Sequence, residues 1–409
     1  MMTLLYLLLL PMLSGIGMLG LGPALMAGRA GAAHVVLLLS GLLLPLRGLV
    51  YLLLARRRGN RPGRMSVVLA AAELLLGAGL LLLPQLSVRL FAIAVAVYLT
   101  LLVTVETVNA ILYGRTRRWG AFFPALAAAA GGAGLFVLIV FVPALRDAAL
   151  RYTAALLLTV FGTGLVCDVL ALTIRSRRVR RVLGSIRVAL PDLMSLFLPQ
   201  RTADVLPRAP LGPVPQQGTE EFELLFQTSA HGIGLVGHCE LCFDGRTLTY
   251  GAYDPVHQRL LRTAGAGIVF SAPREPYLRW CIGTHHRRVI SYSLRLPPAQ
   301  AAQLRAELER FRQTLSPWQP EALPEDCFAG RLRRLGGVRF WRVQRGPYAT
   351  YFIPTINCVS LTNELLEKTD IGRTVMLGLK TPGAYLDLLE REYLAGNPAV
   401  TARRVYDAV

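Results

Sequence analysis

Residues 89–118, RLFAIAVAVYLTLLVTVETVNAILYGRTRR, decide the first half of the fold. From Leu90 to Leu112 the only charged residue is Glu106, and Arg115, Arg117 and Arg118 follow directly. Crossing a bilayer takes about 20 apolar residues, and clusters of Lys and Arg mark the cytoplasmic ends of spans. The pattern repeats on both sides. Apolar segments near 3–26, 33–55, 66–84, 89–112, 121–145 and 152–174 predict six membrane-spanning helices. Arg56, Arg57, Arg58, Arg61 and Arg64 follow the second segment, and Arg175, Arg177, Arg178, Arg180 and Arg181 follow the sixth. The opposite loops hold only Arg29, Arg89, and Arg146 and Arg151 with Asp147. Both ends of the block are therefore expected in the cytoplasm. The first segment follows Met1 without a basic n-region or a clear small-residue cleavage site, so it reads as a retained span.

Composition agrees. Of 409 residues 53% are apolar and 17% charged, against about a quarter charged in soluble proteins; the mean hydropathy is +0.46. The net charge is +19, and residues 1–220 hold 21 of the 44 Lys and Arg but only 7 of the 25 acids. The basic surplus thus sits beside the apolar segments, as membrane orientation requires, and aromatic–basic interleaving is missing. No nucleic-acid partner is expected.

The arginine clusters recur about every 60 residues, which suggests three diverged helical hairpins. Arg47, Glu106 and Asp168 each lie nine positions before a cluster arginine (Arg56, Arg115, Arg177). Nine residues of helix is roughly 14 Å of depth. Glu73 adds a fourth ionisable group. Such groups tend to face the bundle interior and pair, so Arg47 is expected beside Asp168, Glu106 or Glu73. That pairing would either fix helix packing or line a polar path. The segments GLLLPLRGLVYLLLARRR (41–58) and GTGLVCDVLALTIRSRR (162–178) resemble the HdeD-like family of six-span bacterial membrane proteins. The resemblance implies an all-α bundle in the bacterial inner membrane and supplies no catalytic residues.

Residues 184–206 carry a 12-residue apolar core too short to span, which fits an interfacial or re-entrant helix. Residues 207–218, PRAPLGPVPQQG, read as a semi-rigid linker. The organisation expected is a membrane domain over 1–183, a joint over 184–218 and a soluble α+β domain over 219–409.

In the soluble domain, HGIGLVG (231–237) reads as a strand and Asp244-Gly245 as a hairpin turn into a strand from Arg246 to Tyr250. Further strands are expected over 287–296, and 338–343 and 348–353 are expected to pair as a hairpin through Arg345-Gly346. Helices are expected over 298–315, 357–368 and 382–393. Cys358 stands out. It follows a strand, sits beside Asn357 and opens a helix. The unpaired N–H groups of a helix start lower a thiol pKa and can stabilise an oxyanion. A nucleophilic thiol needs a base; His231 is the expected one, and His238 the alternative.

This arrangement resembles the permuted papain-like (NlpC-type) thiol domains, and more narrowly the periplasmic domain of the Lnb-type lipoprotein N-acyltransferase family. His231 and its strand leading to Tyr250-Gly251-Ala252-Tyr253-Asp254, the segment 291–297 with the helix after it, and Tyr351-Phe352 leading to Asn357-Cys358 carry the likeness over roughly 225–370. The resemblance implies Cys358 as nucleophile and His231 as base, with Tyr250, Tyr253 or Asp254 orienting the imidazole. It also implies a periplasmic domain, whereas the arginine pattern places the domain in the cytoplasm; the arginine pattern carries more weight, because residues 188–199 make a poor seventh span. Cys239 and Cys242 form a lone CxxC, and His285-His286 lie further on; with no second CxxC, zinc is not expected. Five cysteines fall outside the spans, an odd number that argues against full disulfide pairing. No cofactor is expected.

The function expected is acyl transfer through Cys358, as an acyltransferase or an amidase or esterase on a lipid or lipoprotein in the bilayer. The alternatives are a cell-wall amide hydrolase and a non-enzymatic membrane scaffold with an inactive papain-like domain.

Overall fold

The computed structural model describes residues 10–28, 32–57, 64–173, 187–188, 221–229, 236–260, 262–319, 327–366, 376–377, 381–394 and 397–407. His231 lies outside the described residues, as do nearly all of the joint and the side chains of Arg47 and Asp168. The chain divides into two compact units, Met1–Val188 and Ala189–Val409.

Among its described residues the first unit holds six helices: α1 (Leu10–Met26), α2 (Ala32–Arg57), α3 (Arg64–Leu82), α4 (Pro84–Arg115), α5 (Trp119–Phe141) and α6 (Pro143–Thr173). Three stretches are long and apolar enough to cross a membrane: Ala92–Arg115, Trp119–Phe141 and Pro143–Cys167. Large apolar side chains face outward, with Leu75, Leu82 and Phe141 exposed by 74%, 77% and 69%. A soluble surface seldom carries so broad an apolar face, whereas a membrane-associated one does. The fifth helix ends at Phe141 instead of 145, because Pro143 starts the next one. Arg146 closes that break by donating from Nε to Ile139 O at 2.7 Å and from Nη2 to Val140 O at 3.1 Å, so a cation satisfies the orphan carbonyls of a helix C-terminus.

The principal pairings are α2 with α3, α4 with α5, and α1 with α6. The hairpins are thus offset by one from a simple 1-2, 3-4, 5-6 repeat, and the first helix closes on the last. Small residues set these contacts. A Cβ on Gly77 would stand 2.3 Å from the Pro45 ring, one on Gly22 2.3 Å from Thr159 Oγ1, and one on Gly162 2.8 Å from Gly15 O. Without a hydrophobic driving force in lipid, helices associate by such close backbone approach. Glu73 is buried, its Oε2 3.3 Å from where a Gly48 Cβ would stand, and Glu106 accepts a hydrogen bond from Asn109 Nδ2 at 3.2 Å.

The second unit is an antiparallel sheet with helices on both faces. Its strands are β1 (Glu221–Thr228), β2 (His238–Phe243), β3 (Arg246–Gly251), β4 (Ala264–Ala266), β5 (Ile268–Pro273), β6 (Arg288–Arg295), β7 (Leu315–Pro317), β8 (Arg339–Val343), β9 (Thr350–Phe352) and β10 (Val400–Tyr406). Its helices are α7 (Arg274–Gly283), α8 (Pro298–Gln313), α9 (Phe328–Arg333), α10 (Cys358–Leu366) and α11 (Pro382–Leu394). Eight strands form one sheet in the order β10-β6-β1-β2-β3-β5-β8-β7, and β9 pairs with β4 separately. On one face Leu225, Cys242, Phe270, Tyr277, Ile282 and Leu332 form a buried core under α7 and α9. On the other, α10 packs on β2 and β3, and the Phe226 ring meets Tyr292 and Tyr385 edge-on.

Two strand expectations change, and one strand, β1, was not expected. The described end of 231–237 is a bend with Gly237 at φ +86°, and the strand before the Asp244-Gly245 turn begins at His238. The segment 338–353 is not a hairpin: β8 pairs with β5 and β9 with β4, since Gly346 at φ +86° and a 3-10 turn over Pro347–Ala349 redirect the chain. Strand β1 has no apolar–polar alternation because it is buried on both faces. Its Glu223 accepts a bidentate bond from Arg274, with Nε at 2.7 Å from Oε2.

Candidate active site

Asn357 and Ser360 fix the start of α10. Asn357 Oδ1 accepts from the Ser360 N–H at 3.0 Å, and Ser360 Oγ accepts from the Asn357 N–H at 2.9 Å. This reciprocal pair is a capping box, and Asn357 Nδ2 also donates to Ile353 O at 2.7 Å. Cys358 is therefore the first residue of a well-capped helix, and it is 3% exposed.

The β2–β3 ladder runs from Phe243–Arg246 to Leu241–Leu248. Just past its end, the Cys239 N–H donates to Cys358 Sγ at 3.4 Å. The Val359 N–H and the Tyr351 hydroxyl also face the sulfur. The sulfur thus sits against the peptide joining His238 to Cys239, and covalent geometry keeps it within about 6 Å of the His238 Cα.

His238 Nε2 lies 2.6 Å from Thr249 Oγ1 and 3.0 Å from the Tyr253 hydroxyl, which are 3.0 Å from each other. Glu240 Oε1 is 3.9 Å away. Tyr253 reaches the imidazole because its ring lies over Gly251, where a Cβ would come within 2.8 Å of it. Among the described residues Nδ1 has no hydrogen-bond partner, so the ring is held by one nitrogen and presents the other.

The residues expected around the imidazole divide. Tyr253 and Thr249 hold His238. The Tyr250 hydroxyl donates to Tyr348 O at 2.9 Å. Asp254 accepts from the Val256 N–H at 3.1 Å and pairs with His257 Nδ1 at 2.7 Å. His231 lies outside the described residues. Cys239 and Cys242 sit three apart on a strand, so their side chains leave opposite faces.

The electrostatics differ from the sequence expectation of a lowered thiol pKa. Burial pushes the Cys358 thiol up to about 11, although the Cys239 and Val359 amides and the Tyr351 hydroxyl pull it down. Burial, with the Arg287 charge, pushes His238 down to about 3. At neutral pH the thiol and the imidazole are both neutral. Glu240 is buried and raised to about 7 by desolvation, although the Tyr277 hydroxyl at 2.6 Å and Gln227 Nε2 at 2.7 Å stabilise its charge.

No family model, curated protein or solved structure matches this chain. The functional reading therefore rests on this geometry. Thr249 and Glu240 had no distinguishing sequence signal, and Tyr351 entered only within the segment leading to Cys358. Thr249 reaches His238 from the adjacent strand β3 and Glu240 from two residues along β2 on the same face, and Tyr351 reaches the sulfur because β9 leads into α10.

Proposed function

We propose that this protein is a membrane-anchored thiol acyltransferase or acyl hydrolase acting on a lipid or lipoprotein, with Cys358 as nucleophile and His238 as base. The observation that carries the reading is the Cys358 sulfur held at a capped helix start against the peptide of His238, whose ring is fixed through Nε2. In the first step Sγ attacks the substrate carbonyl while the imidazole takes the thiol proton. The leaving alcohol or amine departs with that proton, leaving a thioester. An acceptor amine or water then attacks, gives its proton to the imidazole, and the thiol is restored. The helix-start amides and the Tyr351 hydroxyl are the donors available to the oxyanion. Asn357 contributes by holding the helix start. In this reading all six helices cross the bacterial inner membrane, as in the HdeD-like family, and keep the domain where acylated substrates lie.

The test is acyl-enzyme trapping. Purified protein is incubated in vesicles with a phospholipid labelled in its acyl chain, and label on the Cys358 peptide is released with neutral hydroxylamine. Label is expected in the parent and in His231→Ala, and absent in Cys358→Ser. In His238→Ala it should form 10²–10⁴-fold more slowly, the usual range for loss of a general base. Label that persists in Cys358→Ser, or that resists hydroxylamine, overturns the reading. A slow His231→Ala beside a fast His238→Ala returns the base to His231.

A further inference from the structure

We propose that the loop residues 255–260, with Arg262, are a membrane-contact element that seats the Cys358 end of the sheet on an anionic bilayer surface. Among the described residues of the second unit, the only exposed large apolar side chains are Val256 and Leu260, at 73% and 57% exposure, and both lie in this loop. Scattered single apolar residues need no explanation, but these two share one tip. Arg259 and Arg262 stand beside them, also exposed, and residues 255–263 contain no acid. The adjacent Asp254 is buried and turned inward onto Val256 N, His257 and Arg342.

The loop is held in this outward form. Leu260 and Arg262 adopt φ values of +50° and +70°, the left-handed region unfavourable to residues with a Cβ. Arg259 and Ala264 exchange backbone bonds at 2.7 and 3.2 Å, and Thr263 Oγ1 donates to Leu260 O at 2.6 Å. The local strain is thus fixed by a closed stem.

The loop also lies at the reactive end of the sheet. It follows β3, which ends at Gly251 on the side where β2 begins with His238. It leads into β4, whose Gly265 pairs with Tyr351, the residue that faces the sulfur. Ile353 donates its N–H to Thr263 O at 2.9 Å.

A bilayer fits this patch better than a protein. Two apolar side chains fall far short of the roughly 800 Å² per partner of a stable protein interface. An apolar tip flanked by arginines matches the interface of an anionic leaflet, where basic residues are attracted to the surface. The same polypeptide carries helices of spanning length, so the unit is confined near such a surface. The contact stands whether or not Cys358 reacts.

The test uses the full chain in phosphatidylcholine–phosphatidylglycerol vesicles, with the photoreactive residue benzoylphenylalanine replacing Val256, Leu260 or, as control, Gln303 on the exposed side of α8. Adducts are mapped by mass spectrometry. Phospholipid adducts are expected at 256 and 260 severalfold above 303. They should fall severalfold in Arg259→Gln/Arg262→Gln and in pure phosphatidylcholine. The same adducts in Cys358→Ser would separate this result from the fate of the thiol reading. Equal yields at 303, adducts to protein instead of lipid, or indifference to both the arginines and the anionic lipid would each overturn the proposal.

Discussion

The resting charge state of Cys358 is the most direct quantity to measure. A thiol raised from 9.0 to about 11 is ionised to about 0.03% at pH 7.5, against about 3% for the unperturbed group, so its thiolate-dependent alkylation should be about a hundredfold slower. Burial slows it further by an amount independent of pH, so the slope is the sharper observable. Iodoacetamide labelling of the Cys358 peptide should rise about tenfold per pH unit from pH 6 to 9 without a plateau. His238→Ala should leave that slope unchanged, because an imidazole lowered to about 3 is already neutral across this range. The assay is labelling for fixed times at each pH, resolved by peptide mass spectrometry because Cys239, Cys242, Cys281 and Cys327 are also free thiols. A flat rate over that range would refute the reasoning. It would mean a preformed thiolate–imidazolium pair, with the helix start and the histidine charge outweighing burial.

Other outcomes follow from the same geometry. Asn357→Ala removes the cap, which is worth about 1–2 kcal/mol, and orphans the Ile353 carbonyl; Cys358 should label faster while thioester formation falls, and unchanged labelling would show that the cap does not hold the sulfur. Glu240 has a raised folded pKa of about 7 against 4.5, so the folded state binds more protons and loses stability as pH rises through this window. Glu240→Gln should therefore raise the melting temperature at pH 8, by the equivalent of roughly 3 kcal/mol, with the gain falling below about 1 kcal/mol at pH 5; an equal effect at both pH values would contradict the assignment. His238 has the opposite sign. Its depressed pKa removes stability as pH falls from 6.5 toward 3, so His238→Phe should flatten the acid limb of the melting curve. Gly162→Leu would drive a side chain into the Gly15 carbonyl and part α1 from α6, costing about 1–3 kcal/mol or more by overpacking; an unchanged melting temperature in detergent would place the α1–α6 contact elsewhere.

The sequence alone located the helices of the first unit, because hydropathy over 20 residues is a local quantity that packing cannot alter. It also marked Cys358 as the start of a helix, because Asn357 and Ser360 cap within one turn. The linear order could not show that α1 closes on α6, since that contact joins Gly15 and Gly22 to Ala155, Thr159 and Gly162 across most of the unit. It could not show which backbone amide meets the sulfur either. An apolar, Gly-rich 231–237 suits a strand as well as 238–243 does, and only the folded sheet sets the Cys239 amide of β2 against the sulfur. That Tyr253 and not Tyr250 meets the His238 ring was equally out of reach, because the contact is made only where the chain folds over Gly251. The sign of the thiol pKa depends on burial. A helix start favours the thiolate from information within four residues, while desolvation sums over every atom packed around the sulfur, and that sum exists only once the sheet, α10 and β9 have come together.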